Sequence, residues 1–337
     1  MEESRNGTIP GTISVLGAQY SGSGAVFEYL SGRPDVCDPL RGKEVSIVQS
    51  PYGILSFYLT VYKSFYPVAA SESLSRLEWL LRKADRPKRG AFQGYNLGAF
   101  VPHYQQKVSR YLEQIVAVEY QFRSQFHWLN KKPVRSYFET RFDRLRRQAR
   151  FHVESLPVSE DAFVKATREF LASLGEEVIQ ENIHSAAILY NQAGSYWCPE
   201  LSALLLPHVR GIITVSRDPR DQFAELKVNK GITDVNTFIM WHQQTFNKRN
   251  RTANVRDSTV YDVRFEDFVR DHENQVKRLC AFLEIDCSLQ SSYEPALSKK
   301  NIGKYREQLT DFEIKTIERS LTDFCVDTKN DHDRVID

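Results

Sequence analysis

Two kinds of hydrophobic spacing alternate along this chain. Ile13, Val15 and Leu16 form a short apolar run with the β-branched content of a strand. Val26, Phe27 and Leu30 then take up helical spacing, which Gly32 and Pro34 close. The segment 13–30 therefore predicts a strand, a glycine-rich turn and a helix. The stretch 42–48 predicts a strand or the exit of one. Residues 54–185 predict mostly helix, with many aromatics and few β-branched runs. From 201 onward an α/β alternation resumes: helix over 201–206, buried strand over 211–216, and a helix opening at Pro219. A helix over 234–249, a strand over 259–263 and one or two helices over 266–283 follow, before a last helix capped near Thr310. Together these predict an α/β fold, a P-loop-type parallel sheet flanked by helices. The whole chain reads as a single domain with a large helical insertion at 55–185.

Composition changes that picture little. A chain 41% hydrophobic and 26% charged is that of an ordinary soluble globular protein, and a formal net charge of +2 gives no global reason to expect nucleic acid. Five cysteines, an odd number without a CxxC pair, fit a reducing compartment. The first residues lack the apolar stretch of a signal peptide, and no run reaches the 18 apolar residues of a membrane helix. A cytoplasmic location is the expectation. One local excess stands out: residues 131–150 carry eight Lys or Arg against Glu139 and Asp143. Phe138, Phe142, Leu145 and Ala149 recur there at helical spacing, so the segment reads either as a solvated amphipathic helix or as a patch for an anionic acceptor or membrane surface.

The candidate chemistry begins in the turn. Gly17 and Gly22 stand at P-loop spacing, and a glycine-rich turn into a helix start presents backbone N–H groups to a phosphate. The lysine expected after Gly22 is Ser23, which argues against ATP or GTP hydrolysis; a P-loop kinase would retain only the Ser23 hydroxyl. Two further segments carry phosphate-binding groups at a strand end or in a basic loop: Ser216-Arg217-Asp218-Pro219-Arg220-Asp221 and Ser298-Lys299-Lys300-Asn301-Ile302-Gly303. In open α/β sheets ligands sit at the carboxyl ends of the strands. Two separate anion sites suit a nucleotide phosphorylated at both ends of its ribose. No Cys/His or Asp/Glu set stands at metal-ligand spacing, and no metal is expected.

These motifs resemble those of the sulfotransferases that use 3′-phosphoadenosine 5′-phosphosulfate, most closely the bacterial ones that modify surface polysaccharides or lipopolysaccharides. Gly17-Ala18-Gln19-Tyr20-Ser21-Gly22-Ser23-Gly24 is similar to their 5′-phosphosulfate loop, and Val215-Ser216-Arg217-Asp218-Pro219-Arg220-Asp221 to the strand end whose first arginine binds the 3′-phosphate. Val263-Arg264-Phe265-Glu266-Asp267-Phe268 looks like the family's later strand–helix segment. The resemblance implies that Tyr20, Ser21, Gly22, Ser23, Gly24 and Ala25 meet the 5′ group, and that Arg217, Lys299, Lys300, Asn301, Ile302 and Gly303 meet the 3′-phosphate. Lys43-Glu44 resembles the Lys-Glu stretch of the heparan-type branch, which implies Glu44 as general base beside Lys43; His103 or His127 is the alternative base. The implied acceptor is a carbohydrate or lipid-linked glycan.

Two positions depart from the family pattern. Tyr20 replaces the Lys or Arg that stabilises the bridging oxygen, a loss of about 10²–10³ in rate unless replaced. Lys43, Lys227, Lys299, Lys300 or the Tyr20 hydroxyl are the candidate replacements. Glu225 stands where a serine often assists the 3′-phosphate, and its carboxylate would repel an anion unless it faces away or is paired. A non-catalytic nucleotide- or glycan-binding descendant is the alternative these departures keep open.

Overall fold

The computed structural model describes residues 10–86, 95–122, 152–181, 185–252 and 258–326. The basic segment 131–150 and His127 lie outside the described residues. The chain forms two compact units, one made of the described residues up to Gln49 and from Leu171 on, the other of Ser50–Phe170.

The first unit is built on a five-stranded parallel sheet. Its strands are β1 (Gly11–Gly17), β2 (Val36–Cys37), β5 (Ala187–Asn191), β6 (Val209–Ser216) and β7 (Val260–Arg264), in the order β2-β5-β1-β6-β7. The predicted strands at 13–16, 211–216 and 259–263 are β1, β6 and β7. β1 is central, paired in parallel with β5 on one side and β6 on the other. Its apolar residues are buried on both faces, as expected of a strand covered by helices. On one face Ile13, Val15, Leu189, Ile213 and Val215 pack with Val26 and Leu30 of the helix Ser23–Ser31 and with Phe268, Leu279 and Leu283. Each fully buried aliphatic side chain contributes roughly 1.5–3 kcal/mol. A second cluster joins Phe223, Val235, Phe238, Tyr305 and Ile317 from the later helices.

The predicted helix ends hold. Asp218 caps the helix Pro219–Lys230 by accepting the Arg220 N–H at 2.8 Å. Thr310 and Glu313 form a reciprocal capping box at the start of Asp311–Ser320. The 266–283 region is two helices, Phe265–Arg270 and His272–Leu283. The stretch 42–48 makes no strand: Glu44 forms one isolated parallel bridge to Asn191, and a short helix, Ser46–Gln49, follows.

The second unit contains the helices Ile54–Tyr62, Pro67–Ala84 and Tyr104–Ile115 and most of Glu160–Ser173. It also carries an antiparallel pair, β3 (Val116–Phe122) with β4 (His152–Pro157), inside the region read as mostly helical. Its core is aromatic: Phe163 contacts Phe57, Tyr58, Tyr62 and Tyr111. No helix among the described residues is long and apolar enough to cross a membrane.

Candidate functional site

The site lies in the first unit, at the carboxyl ends of the strands. β1 stops at Gly17, where a Cβ would overlap the side chains of Ser21 and Ser23, so the turn can fold back only over glycine. Inside the turn the Ser21 N–H donates to the Ala18 carbonyl at 3.1 Å. Tyr20 (φ 57°) and Gly22 (φ 79°) are both left-handed, and a Cβ on Gly22 would run into the Phe265 ring. The helix Ser23–Ser31 starts directly after Gly22 without a side-chain cap. Its first N–H groups therefore face outward at the positive end of the helix dipole. Gly24 is exposed, and the Ala25 N–H returns to the Gly22 carbonyl at 3.1 Å. Ser21 is buried, and among the described residues its hydroxyl has no hydrogen-bond partner.

Arg217 follows β6 and ties two of the expected loops together. Its guanidinium donates to the Tyr20 carbonyl at 3.2 Å and to the Asn301 carbonyl at 2.5 Å. It also lies 5.3 Å from the centre of the Phe265 ring. Among the described residues its buried Nε has no partner. Arg220 has a different task. It grips Asp218 through Nε at 3.0 Å and Nη2 at 2.6 Å, and donates to Glu318 at 2.5 Å and the Val326 carbonyl at 2.8 Å. The Val326 N–H in turn donates to Asp218 at 2.9 Å. Arg220 is an internal staple, buried with its partner.

The turn after β6 also rests on Glu266, whose Oε1 accepts the Asp218 N–H at 3.0 Å. Burial pushes this carboxyl up to about 7; the Asp218 N–H and the Arg217 charge pull the other way. Its Oε2 has no partner among the described residues.

The 298–303 loop behaves differently from expectation. The N–H groups of Asn301, Ile302 and Gly303 donate to Ser298 (3.0 Å), Lys299 (3.1 Å) and Asp221 (2.7 Å). Asp221, buried beneath the loop, also accepts the Tyr305 N–H at 3.0 Å. A buried carboxylate must be satisfied, and it claims the loop backbone. The exposed Lys299 and Lys300 ammoniums, the Arg217 guanidinium and the Arg306 guanidinium, which lies against Gly303, are cationic groups of this loop region. Glu225 is paired: Lys304 donates to it at 3.0 Å and Asn229 at 2.9 Å. Burial raises its carboxyl, but Lys304, Arg217 and Asn229 more than offset this and hold it below the usual range. Lys227 is committed to Glu313 through contacts of 2.7 and 2.9 Å.

Glu44 presents an exposed carboxylate, with the Ser46 hydroxyl 3.4 Å away. Its backbone is fixed at the end of β5, where the Val45 N–H donates to the Asn191 carbonyl at 2.8 Å and Asn191 Nδ2 donates to the Gly42 carbonyl at 3.0 Å. Lys43 is exposed beside it. The Tyr20 ring packs against the apolar cluster around Phe223. His103 is exposed in the other unit. Sequence reasoning missed Asn191 and Gln192 as parts of the site, and quoted Asp221, Phe265 and Glu266 within their motifs without giving them a role. The readable signal was Ala187-Ile188-Leu189-Tyr190 running into the polar pair Asn191-Gln192, the mark of a buried strand with a polar exit.

The profile of the sulfotransferase family matches residues 93–288. Its span holds β5, β6 and β7; the glycine turn and the 298–303 loop lie outside it and are joined to it by the contacts above. Solved structures align over most of the chain at low identity. The sulfotransferase domain of the curacin biosynthetic pathway shares 12% identity at a TM-score of 0.40, covering 93% of this chain and 98% of that one. The sulfotransferase domain of the Synechococcus PCC 7002 olefin synthase shares 13% at 0.41, covering 96% and 98%. A sulfotransferase from Alicyclobacillus acidocaldarius shares 15% at 0.37, covering 96% and 98%. No curated protein matches the sequence. A family match running over more than half of the chain makes this protein a member of the sulfotransferase family.

Proposed function

We propose that this enzyme transfers a sulfuryl group from 3′-phosphoadenosine 5′-phosphosulfate to a hydroxyl of a carbohydrate or glycolipid acceptor. The observation that carries the reading is the convergence of the glycine turn, Arg217 and the 298–303 loop, with two buried donors left open. The Ser21 hydroxyl and Arg217 Nε lack partners among the described residues, and each can donate to an anion. They sit in the two segments assigned to opposite ends of the nucleotide, which fits a donor bearing both a 5′ and a 3′ phosphate.

Bound there, the nucleotide supplies a sulfuryl electrophile on its 5′-phosphate. Gly22, Ser23 and Gly24 hold the 5′ group through N–H groups and the helix dipole, Ser21 through its hydroxyl, and Ala25 closes the turn with its N–H on the Gly22 carbonyl. Arg217, with Lys299 and Lys300, holds the 3′-phosphate. Asn301, Ile302 and Gly303 act through their fixed loop conformation rather than by donating. Glu44 orients the acceptor hydroxyl and removes its proton. Tyr20 offers a hydroxyl but no cation, so charge stabilisation falls mainly on the oriented N–H groups and the neighbouring lysines, Lys43 among them. The excess of basic residues in 131–150 supports an anionic glycan or lipid-linked acceptor.

Calorimetry with adenosine 3′,5′-bisphosphate, without metal, tests the donor site. Micromolar binding, much tighter than that of ATP with or without magnesium, is expected. Magnesium-dependent ATP binding that outcompetes the bisphosphate would sink the reading. Transfer of radiolabelled sulfate to a panel of oligosaccharides, glycolipids and phenols then tests the acceptor class, and exclusive labelling of phenols would refute the glycan assignment.

A further inference from the structure

β5 reaches both halves of the site through two consecutive residues. Pairing between β1 and β5 runs in register to Val15↔Asn191, and the last rung is the Gln192 N–H on the Val15 carbonyl at 3.0 Å. Past that rung β1 continues to Gly17 while β5 turns away. The Gly17 N–H is thereby left facing a gap where the next strand residue would have been. The Gln192 side chain fills it. Its Oε1 accepts the Gly17 N–H at 3.3 Å, and its Nε2 donates to Ser23 Oγ, also at 3.3 Å. Gln192 is only 8% exposed and has φ 55°, a left-handed backbone that a side-chain-bearing residue keeps only where its surroundings fix it.

We propose that Gln192 is a positioning residue for the donor loop. It clamps the first and seventh residues of the turn, Gly17 and Ser23, and so orients the N–H groups that meet the 5′-phosphate. The proposal rests on the sulfuryl-donor reading of this site. The chemistry asks for an amide of this length: one end must accept a backbone N–H and the other must donate to a hydroxyl. A carboxylate supplies only the acceptor, and it would bring negative charge to an anion site. Asn191, one residue earlier, holds Gly42 and Val45, so the same strand exit fixes the segment of Glu44.

The test compares adenosine 3′,5′-bisphosphate with adenosine 3′-phosphate, which lacks the 5′ group, by calorimetry on the full chain. Gln192→Met, similar in volume and without the amide, is expected to weaken bisphosphate binding about tenfold and leave the 3′-phosphate within about twofold. Gln192→Glu keeps the acceptor for Gly17 and is expected to weaken the bisphosphate further, again sparing the 3′-phosphate. It also keeps the test decisive should the methionine variant fold poorly. Equal losses for both nucleotides would show a general structural role and overturn the proposal. Unchanged bisphosphate affinity would overturn it while leaving the donor reading intact. A wild-type chain that binds neither nucleotide would remove the donor reading, and this proposal with it.

Discussion

The ammonium of Lys304 lies 3.0 Å from the carboxylate of Glu225, one residue beyond the loop that Arg217 holds. This pairing answers the charge conflict posed by an acid near the proposed anion site: the negative charge of Glu225 is met inside the protein. Removing the cation should therefore expose the conflict. Lys304→Met is expected to weaken adenosine 3′,5′-bisphosphate binding about tenfold at low ionic strength, and less in high salt. Adding Glu225→Gln in the same chain should recover most of the loss. A double variant no better than the single one would show that Lys304 acts on the nucleotide directly.

Glu44 is fixed by its backbone and exposed at its carboxylate, so its side chain is open to the proposed acceptor. Glu44→Gln is expected to lower sulfuryl transfer by about 10²–10⁴-fold with bisphosphate affinity unchanged. Parallel turnover and calorimetric measurements check this. Full turnover in the variant would move the base elsewhere.

Glu266 gives the fold a pH signature. Its carboxyl ionises at about 7 in the folded chain against an ordinary value of 4.5, because burial disfavours the charge; Asp218 and Arg217 are the charged groups that act on it. Between those two values the folded state binds a proton that the unfolded state has released, so stability falls as pH rises from about 4.5 to about 7, and is flat above. Glu266→Gln keeps an acceptor for the Asp218 N–H and removes the titration. Relative to wild type, the variant should gain on the order of 2 kcal/mol between pH 5 and pH 8, read from paired denaturation curves. A constant difference across that range would contradict the assignment.

Gly22→Ala combines two penalties, a left-handed backbone and a methyl group directed at the Phe265 ring. A loss of roughly 1–3 kcal/mol in stability is expected, together with a marked loss of bisphosphate affinity because the turn must shift. Gly24→Ala, with open space around its Cβ position, serves as the control that leaves stability close to wild type.

Much of the arrangement around the glycine turn could be read from the chain. Strand-to-turn and strand-to-helix transitions at Gly17 and Ser216 are local, and local spacing reports them. The pairing of Arg217 with the 298–303 loop followed from chemistry that both segments advertise. What escaped was set by tertiary contact. Gln192 looks like any polar residue after a strand until β1 overruns β5 beside it. Asp221 reads as a first-turn helix acid, yet it lies under the later loop and takes the Gly303 N–H that an anion was expected to use. The bridge at Glu44 needs β5, a short apolar run next to a long helical region, and short runs do not declare whether they are strand or helix.

The staple between Asp218, Arg220 and Val326 has a consequence for how the protein is made. The turn bearing Arg217 is secured to a residue 108 positions after Asp218. A nascent chain whose glycine turn and central strands have already emerged from the ribosome still lacks that anchor until Val326 has been synthesised and docked. A chain cut before Val326 would carry a formed sheet with the turn that bears Arg217 unsecured at this point.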